Sequence, residues 1–221
     1  MSIEYYASKT IDGSMKSPDQ SFQTVLAARS TFLRGNHIDP ENTTLLHVTY
    51  ENDNFCRYDI VLDHNKGDGI VRTTSIEADA LVVTRPGHAL LLPLADCVGS
   101  VIHDPTKNIL MVSHLGRHNL EQFGGTRCIE YLTSKLNVNP HDLVIWLSPA
   151  AGQKNYPLHA FNNRGMHEVA IEQLIDGGVS PKNIQSSFID TTTNLDYFSH
   201  SQFLKGNRDS DGRFCIVATM N

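Results

Sequence analysis

Apolar positions follow two kinds of spacing along this chain, and these spacings predict helices and strands in a mixed order. Residues 25–33, 120–132 and 165–176 carry apolar side chains at the three- and four-residue intervals that are typical of a helix with one buried face. Residues 88–95 and 108–113 form short apolar runs beside turn residues, which favours strands. Strands interspersed with helices predict a mixed α/β (α+β) fold in which mixed β-sheets are flanked by helices.

Length, composition and charge narrow the class of protein. The 221 residues, 40% of them hydrophobic, suffice for one domain over residues 1–221 with a substantial core. The apolar runs are too short to cross a bilayer, and the first residues lack the basic and apolar regions of a secretion signal. We therefore expect a cytoplasmic protein without a membrane partner. The net charge of -6 argues against a nucleic-acid partner, because such proteins normally present a basic surface.

The cysteines and histidines exclude some metal chemistry. The 4 cysteines, Cys56, Cys97, Cys128 and Cys215, include no Cys-x-x-Cys pair, so neither a disulfide framework nor a zinc ribbon is indicated. The 11 histidines are scattered and form none of the His-x-His pairs that a multicopper oxidase needs. Copper is therefore a less favoured cofactor than zinc.

A cysteine and a histidine that end two successive apolar segments are the strongest candidates for chemistry. A turn centred on residues 104–107 would make a hairpin in which Cys97 faces His114, with Cβ atoms about 5 Å apart. At that distance a thiolate and an imidazole can bind one metal ion or act as a nucleophile and its base. The alternative is a buried core thiol beside a hydrogen-bonded histidine. A one-residue change in the turn would place the two side chains on opposite faces.

Polar residues converge on the same edge. Asp96 adjoins the thiol and is either a turn residue or a catalytic carboxylate. Arg117 and His118 follow His114, and we expect them to bind substrate. Asn119 is a candidate cap for the next helix, whose N-terminus would then offer an anion site near the imidazole.

Four motifs resemble those of the multicopper polyphenol oxidoreductase (laccase-domain, YfiH-like) family, in the same order and at similar spacing. They are Glu77-Ala-Asp-Ala-Leu-Val-Val-Thr-Arg-Pro-Gly, Leu94-Ala-Asp-Cys, Val112-Ser-His-Leu-Gly and Leu147-Ser-Pro-Ala-Ala-Gly. The resemblance implies an α/β domain with a zinc ion held by His, Cys and His. It also implies phosphorolysis or deamination of purine nucleosides, so the expected partners are a purine nucleoside and phosphate.

Carried over residue by residue, the resemblance implies Cys97 and His114 as zinc ligands. At the position of the family's first histidine this chain has Thr49, and His47 stands two residues earlier. Residues two apart on a strand share a face, so His47 is the predicted third ligand, with a buried strand histidine as the alternative.

Several functions remain open at this point. The first is a zinc-dependent purine nucleoside phosphorylase or adenosine deaminase-like enzyme. The alternatives are a metal-free Cys–His hydrolase or deamidase, a polyphenol oxidase, and a degenerate relative that binds a nucleoside without catalysis.

Overall fold

The computed structural model describes residues 2–221, which form two β-sheets and five α-helices. The helices are α1 Phe22–Gly35, α2 Arg117–Glu121, α3 Gly124–Leu136, α4 Met166–Asp176 and α5 His200–Leu204. The strands are β1 Ile3–Ala7, β2 Thr43–His47, β3 Tyr58–Ile60, β4 Ile76–Glu77, β5 Ala80–Val83, β6 Ala89–Leu94, β7 Val98–Asp104, β8 Ile109–Leu115, β9 Val144–Leu147, β10 Ile184–Ser186 and β11 Phe214–Met220. No helix in residues 2–221 has the length and hydropathy that a membrane span requires.

Both sheets are mixed. The five-stranded sheet has the order β1-β11-β6-β2-β4, in which the β6–β2 and β2–β4 pairs are parallel and the β1–β11 and β11–β6 pairs are antiparallel. The six-stranded sheet has the order β10-β9-β7-β8-β5-β3, in which only the two outer pairs are parallel. The predicted mixed α/β (α+β) fold with flanking helices is confirmed.

The two sheets pack face to face between layers of helix. On β6, Leu90, Leu92 and Leu94 face the six-stranded sheet, whereas Ala89 and Leu91 face α1 on the other side. Helices α3 and α4 cover the outer face of the six-stranded sheet. A strand that is buried on both faces reads as a continuous apolar run, which is the pattern of residues 88–95.

The predicted helix after His118 is two helices instead of one. Phe123 has φ 61° and an exposed side chain, so it separates α2 from α3 and is not part of the buried face. Gly116, and not Asn119, is the N-cap of α2. The Asn119 side-chain amide donates to the Phe55 carbonyl, and the Asn119 side chain fills the space where a Cβ atom at Gly124 would lie.

The hairpin forms with a different register from the predicted one. Strand β6 belongs to the five-stranded sheet, and the chain crosses at residues 95–97 to enter β7, which pairs with β8. Asp104 pairs with Ile109 and His114 pairs with Gly99, so the extended register places Gly116 opposite Cys97. The pairing is displaced by an even number of residues, so Cys97 and His114 keep the same face.

Candidate functional site

A cavity of about 590 Å³ lies where the chain passes from one sheet to the other. Four of the predicted site residues line it: Cys97, His114, Arg117 and His118. His47 does not line this cavity and belongs to a neighbouring one of about 230 Å³.

Asp96 holds the crossover in place. Its backbone has φ 72°, a conformation that asparagine and aspartate tolerate better than most residues. One carboxylate oxygen accepts hydrogen bonds from the hydroxyls of Thr191 (2.9 Å) and Ser199 (2.6 Å), and the other accepts from the Ser201 amide (2.7 Å). These bonds occupy the carboxylate, so the structure favours the turn interpretation of Asp96 over the catalytic one.

Cys97 and His114 meet over a glycine. A Cβ atom at Gly116 would lie 2.9 Å from the Cys97 Sγ, 2.8 Å from the His114 Nε2 and 2.5 Å from its Cε1. The thiol and the imidazole therefore border the same small space, and any side chain at position 116 would displace them. The His114 Nδ1 is buried without a hydrogen-bond partner.

Burial makes both groups neutral at physiological pH. Desolvation, followed by the charge of Asp96, raises the pKa of the Cys97 thiol to about 12. Desolvation also lowers the pKa of His114 to about 4. A protonated thiol can donate a hydrogen bond, and a neutral imidazole can accept a proton.

A buried ion pair supports His114 and at the same time holds Thr49. The Asp79 carbonyl accepts the His114 amide at 2.8 Å, and the fully buried Asp79 carboxylate accepts from the Arg57 Nε, also at 2.8 Å. The same guanidinium donates to the Thr49 hydroxyl at 2.9 Å. Thr49, at the position where the resemblance implies a histidine ligand, is therefore part of this polar cluster and lines neither cavity.

The donor residues do not fit the zinc site that the resemblance implies. The His47 Nδ1 lies 3.1 Å from the Ser75 hydroxyl, in the neighbouring cavity. Across residues 2–221, the His, Cys, Asp and Glu side chains form no group of three or more that could hold a metal ion. Catalytic zinc sites normally have three protein ligands, and this cavity offers the pair Cys97 and His114. The side chains that line this cavity therefore do not complete a zinc or copper site.

Aromatic rings form a second part of the cavity. Phe55 and His118 are stacked, with centroids 4.9 Å apart and an interplanar angle of 22°. Tyr50 is edge-on to His114 and to His118, at 6.4 and 6.1 Å. Tyr156 also lines the cavity. Tyr50, Phe55 and Tyr156 are not predictable from the sequence pattern, because they lie in irregular segments without periodicity.

Cationic groups complete the lining. The Arg117 Nη2 lies 3.1 Å from the His118 Nε2. Arg213 and His200 line the cavity and both contact the Asp211 carboxylate, at 2.5 and 2.8 Å. Partial burial opposes ionisation of Asp211, but the hydrogen bonds from these two residues outweigh it and lower the pKa of Asp211.

Comparison with known proteins identifies the family. The profile described as multi-copper polyphenol oxidoreductase laccase matches residues 2–221. The chain belongs to this family. Membership agrees with the resemblance seen in the four motifs. The family description names a metal, but within residues 2–221 this chain has no group of three His, Cys, Asp or Glu side chains that could hold a metal ion. The comparison with curated proteins finds no match.

Three solved structures share the fold of this chain. Bacillus licheniformis hypothetical protein YfiH superposes with a TM-score of 0.86 at 19% identity, over 99% of this chain and 93% of that one. YlmD from Geobacillus stearothermophilus gives 0.82 at 17% identity, over 94% and 84%. A Neisseria meningitidis protein gives 0.74 at 14% identity, over 99% and 94%. At these identities the likeness establishes the fold alone.

Proposed function

We propose that this laccase-family protein cleaves the glycosidic bond of a purine nucleoside by phosphorolysis in the 590 Å³ cavity. The observation that carries the proposal is the joint placement of the Cys97–His114 pair, the Phe55–His118 stack and the Arg117 guanidinium around one space. The volume lies within the range of about 300–1,000 Å³ that small-molecule sites occupy.

The aromatic wall suits a purine. Stacking of a nucleobase on an aromatic side chain contributes about 1–3 kcal/mol and requires a flat ring with an open face. The Phe55–His118 pair and Tyr50 border the cavity and supply such rings. A sugar without a base would leave this surface unused.

The cationic side suits phosphate. The Arg117 fork can donate two parallel hydrogen bonds to an oxyanion. In phosphorolysis a phosphate oxygen forms a bond to C1′ while the bond from C1′ to the purine nitrogen breaks, and the electron pair leaves with the base. Hydrogen phosphate gives up one proton as its oxygen bonds to C1′, and the departing base takes up one proton, so the step balances. The protonated Cys97 thiol borders the space beside His114 and can donate a hydrogen bond to the departing base.

Phosphorolysis fits the cavity better than deamination. Deamination at C6 needs a water molecule made nucleophilic by a metal or a strong base, and the donor set here stops at two residues. Phosphate is already an anionic nucleophile, so it needs orientation more than activation.

Product analysis tests the proposal. Purified protein is incubated with inosine, adenosine or guanosine, with and without phosphate, and the products are separated by chromatography. We expect free base and ribose 1-phosphate only when phosphate is present. Arg117→Gln should raise the KM for phosphate, whereas Arg34→Gln, at an exposed arginine of α1 that lines neither cavity, serves as the matched control. Base release without phosphate, or ammonia release, would contradict phosphorolysis.

The Cys97–His114 geometry also supports a second candidate, a metal-free hydrolase or deamidase in which the imidazole removes the thiol proton. The high pKa of the buried thiol makes it the weaker candidate. Rapid alkylation of Cys97 by iodoacetamide at neutral pH, with loss of amide hydrolysis, would favour it.

A further inference from the structure

We infer that the smaller cavity, of about 230 Å³, is a binding site for a small phosphate-type oxyanion held by Arg29, Lys16 and His47. This site is separate from the Cys97–His114 cavity, and the inference does not depend on the proposed function. The two cavities adjoin, because Lys16, Val48 and Pro93 line both.

Arg29 carries a buried charge without a counter-charge. It projects from α1 and is 5% exposed. Its Nε donates to the Met15 carbonyl at 2.8 Å and its Nη1 donates to the Gly69 carbonyl at 2.6 Å. Within residues 2–221 no carboxylate lies at ion-pair distance from this guanidinium, which borders the cavity. Buried charges in proteins are normally paired or bind an ion, so this guanidinium calls for an anion.

Lys16 adds a second cation. Its Nζ lies 3.4 Å from the Val48 carbonyl and makes no ion pair with a described carboxylate. Burial of the ammonium, and then the charges of Arg213 and Arg29, lower the pKa of Lys16. Two of the charges that act on Lys16 are therefore positive, and a bound anion between Lys16 and Arg29 would offset both.

Neutral polar groups complete the lining and limit the ligand. His47 borders the cavity, and its Nδ1 contacts the Ser75 hydroxyl, which leaves the other ring nitrogen available to a ligand. Burial and then the charge of Lys16 lower the pKa of His47. The charges of Glu77 and Glu51 oppose this shift, but neither glutamate lines the cavity. The volume is below the range of about 300–1,000 Å³ typical of drug-sized ligands, so a small tetrahedral oxyanion suits it better than a nucleotide.

A phosphate titration tests the site without any nucleoside. Inorganic phosphate is titrated into the full chain by calorimetry at constant ionic strength, with acetate and chloride as separate arms. The protein carries Arg117→Gln, so that the larger cavity lacks the guanidinium that we propose as its phosphate-binding group. We expect one phosphate per chain, weaker binding of acetate, and none of chloride.

Variants locate the anion. Arg29→Gln, Lys16→Gln and His47→Phe should each weaken phosphate binding, the first two by about tenfold or more, because each removes a charge-assisted hydrogen bond. Lys154→Gln, at an exposed lysine that lines neither cavity, should leave the affinity unchanged. If Arg29→Gln does not fold, the other two variants decide.

If Arg29 only stabilises the fold and binds no anion, the variants should give a different result. In that case the variants would lower the free energy of unfolding but leave the phosphate affinity of the folded protein unchanged. That outcome, or no phosphate binding in the millimolar range, would overturn the inference. Failure of nucleoside phosphorolysis would not affect it, because no nucleoside is present.

Discussion

Replacing Asp96 by alanine should strongly destabilise the protein, because this carboxylate ties the crossover to the turn at Thr191 and to the N-terminus of α5. It is 3% exposed and accepts the Thr191 and Ser199 hydroxyls and the Ser201 amide at 2.6–2.9 Å. A hydrogen bond to a charged group is worth about 1.5–3 kcal/mol, and such values are not additive within one network. Alanine at φ 72° adds about 1–2 kcal/mol of backbone strain. We expect a total loss of about 3–5 kcal/mol.

Asp96→Asn should cost less. Asparagine tolerates the left-handed backbone and keeps one oxygen for the two hydroxyls, but its amide group would face the Ser201 N–H. We expect a loss of about 1–2 kcal/mol for this variant.

Urea unfolding followed by fluorescence measures both variants. Trp146 is the single tryptophan of the chain and stacks on Tyr5 between the sheets, so it reports on the core. Asp209→Ala is the matched control, because the Asp209 side chain is exposed and makes no hydrogen bond within residues 2–221. A loss for Asp96→Ala below about 1 kcal/mol, or equal to that of the control, would refute the reasoning.

Three further predictions concern metal, packing and pH. Dialysed protein should contain well under one zinc per chain, and His47→Ala should not change this, since His47 lies in the other cavity; one zinc per chain that disappears in His47→Ala would show that this histidine completes a site. Gly116→Ala should abolish turnover, because its Cβ would press on the thiol and imidazole at 2.9 and 2.5 Å, whereas Gly35→Ala has open space and should keep activity. Burial, followed by the charge of Lys66, lowers the pKa of His88 to about 4 from 6.5, so the unfolded chain binds more protons between these values. The free energy of unfolding should therefore fall as the pH drops from about 6.5 to 4, and His88→Gln should flatten this dependence in urea titrations; an unchanged profile would contradict the assignment.

The spacing of apolar residues was sufficient to predict the helices and strands in which one periodicity dominates. The strand at residues 88–95, the helix at residues 25–33 and the helix at residues 165–176 correspond to β6, α1 and α4. In each element, the spacing of apolar residues within one short segment shows which face is buried, so the sequence alone indicates the element. Cys97, His114, Arg117 and His118 were likewise assigned to one site from adjacent motifs, and they line one cavity.

Only the tertiary structure determined the features that depend on the point where the chain passes from one sheet to the other. The crossover at residues 95–97 set the hairpin register, and Asp96 is held there by hydroxyls that lie 95 and 103 residues further along the chain. His47 lies in a cavity formed by β2 and the segments next to it. The Thr49 hydroxyl accepts a hydrogen bond from Arg57. The buried charge of Arg29 also became visible only in the fold. Such contacts join segments far apart in sequence, and no local spacing encodes the distance between them, because it is the packing of the two sheets that brings these segments together.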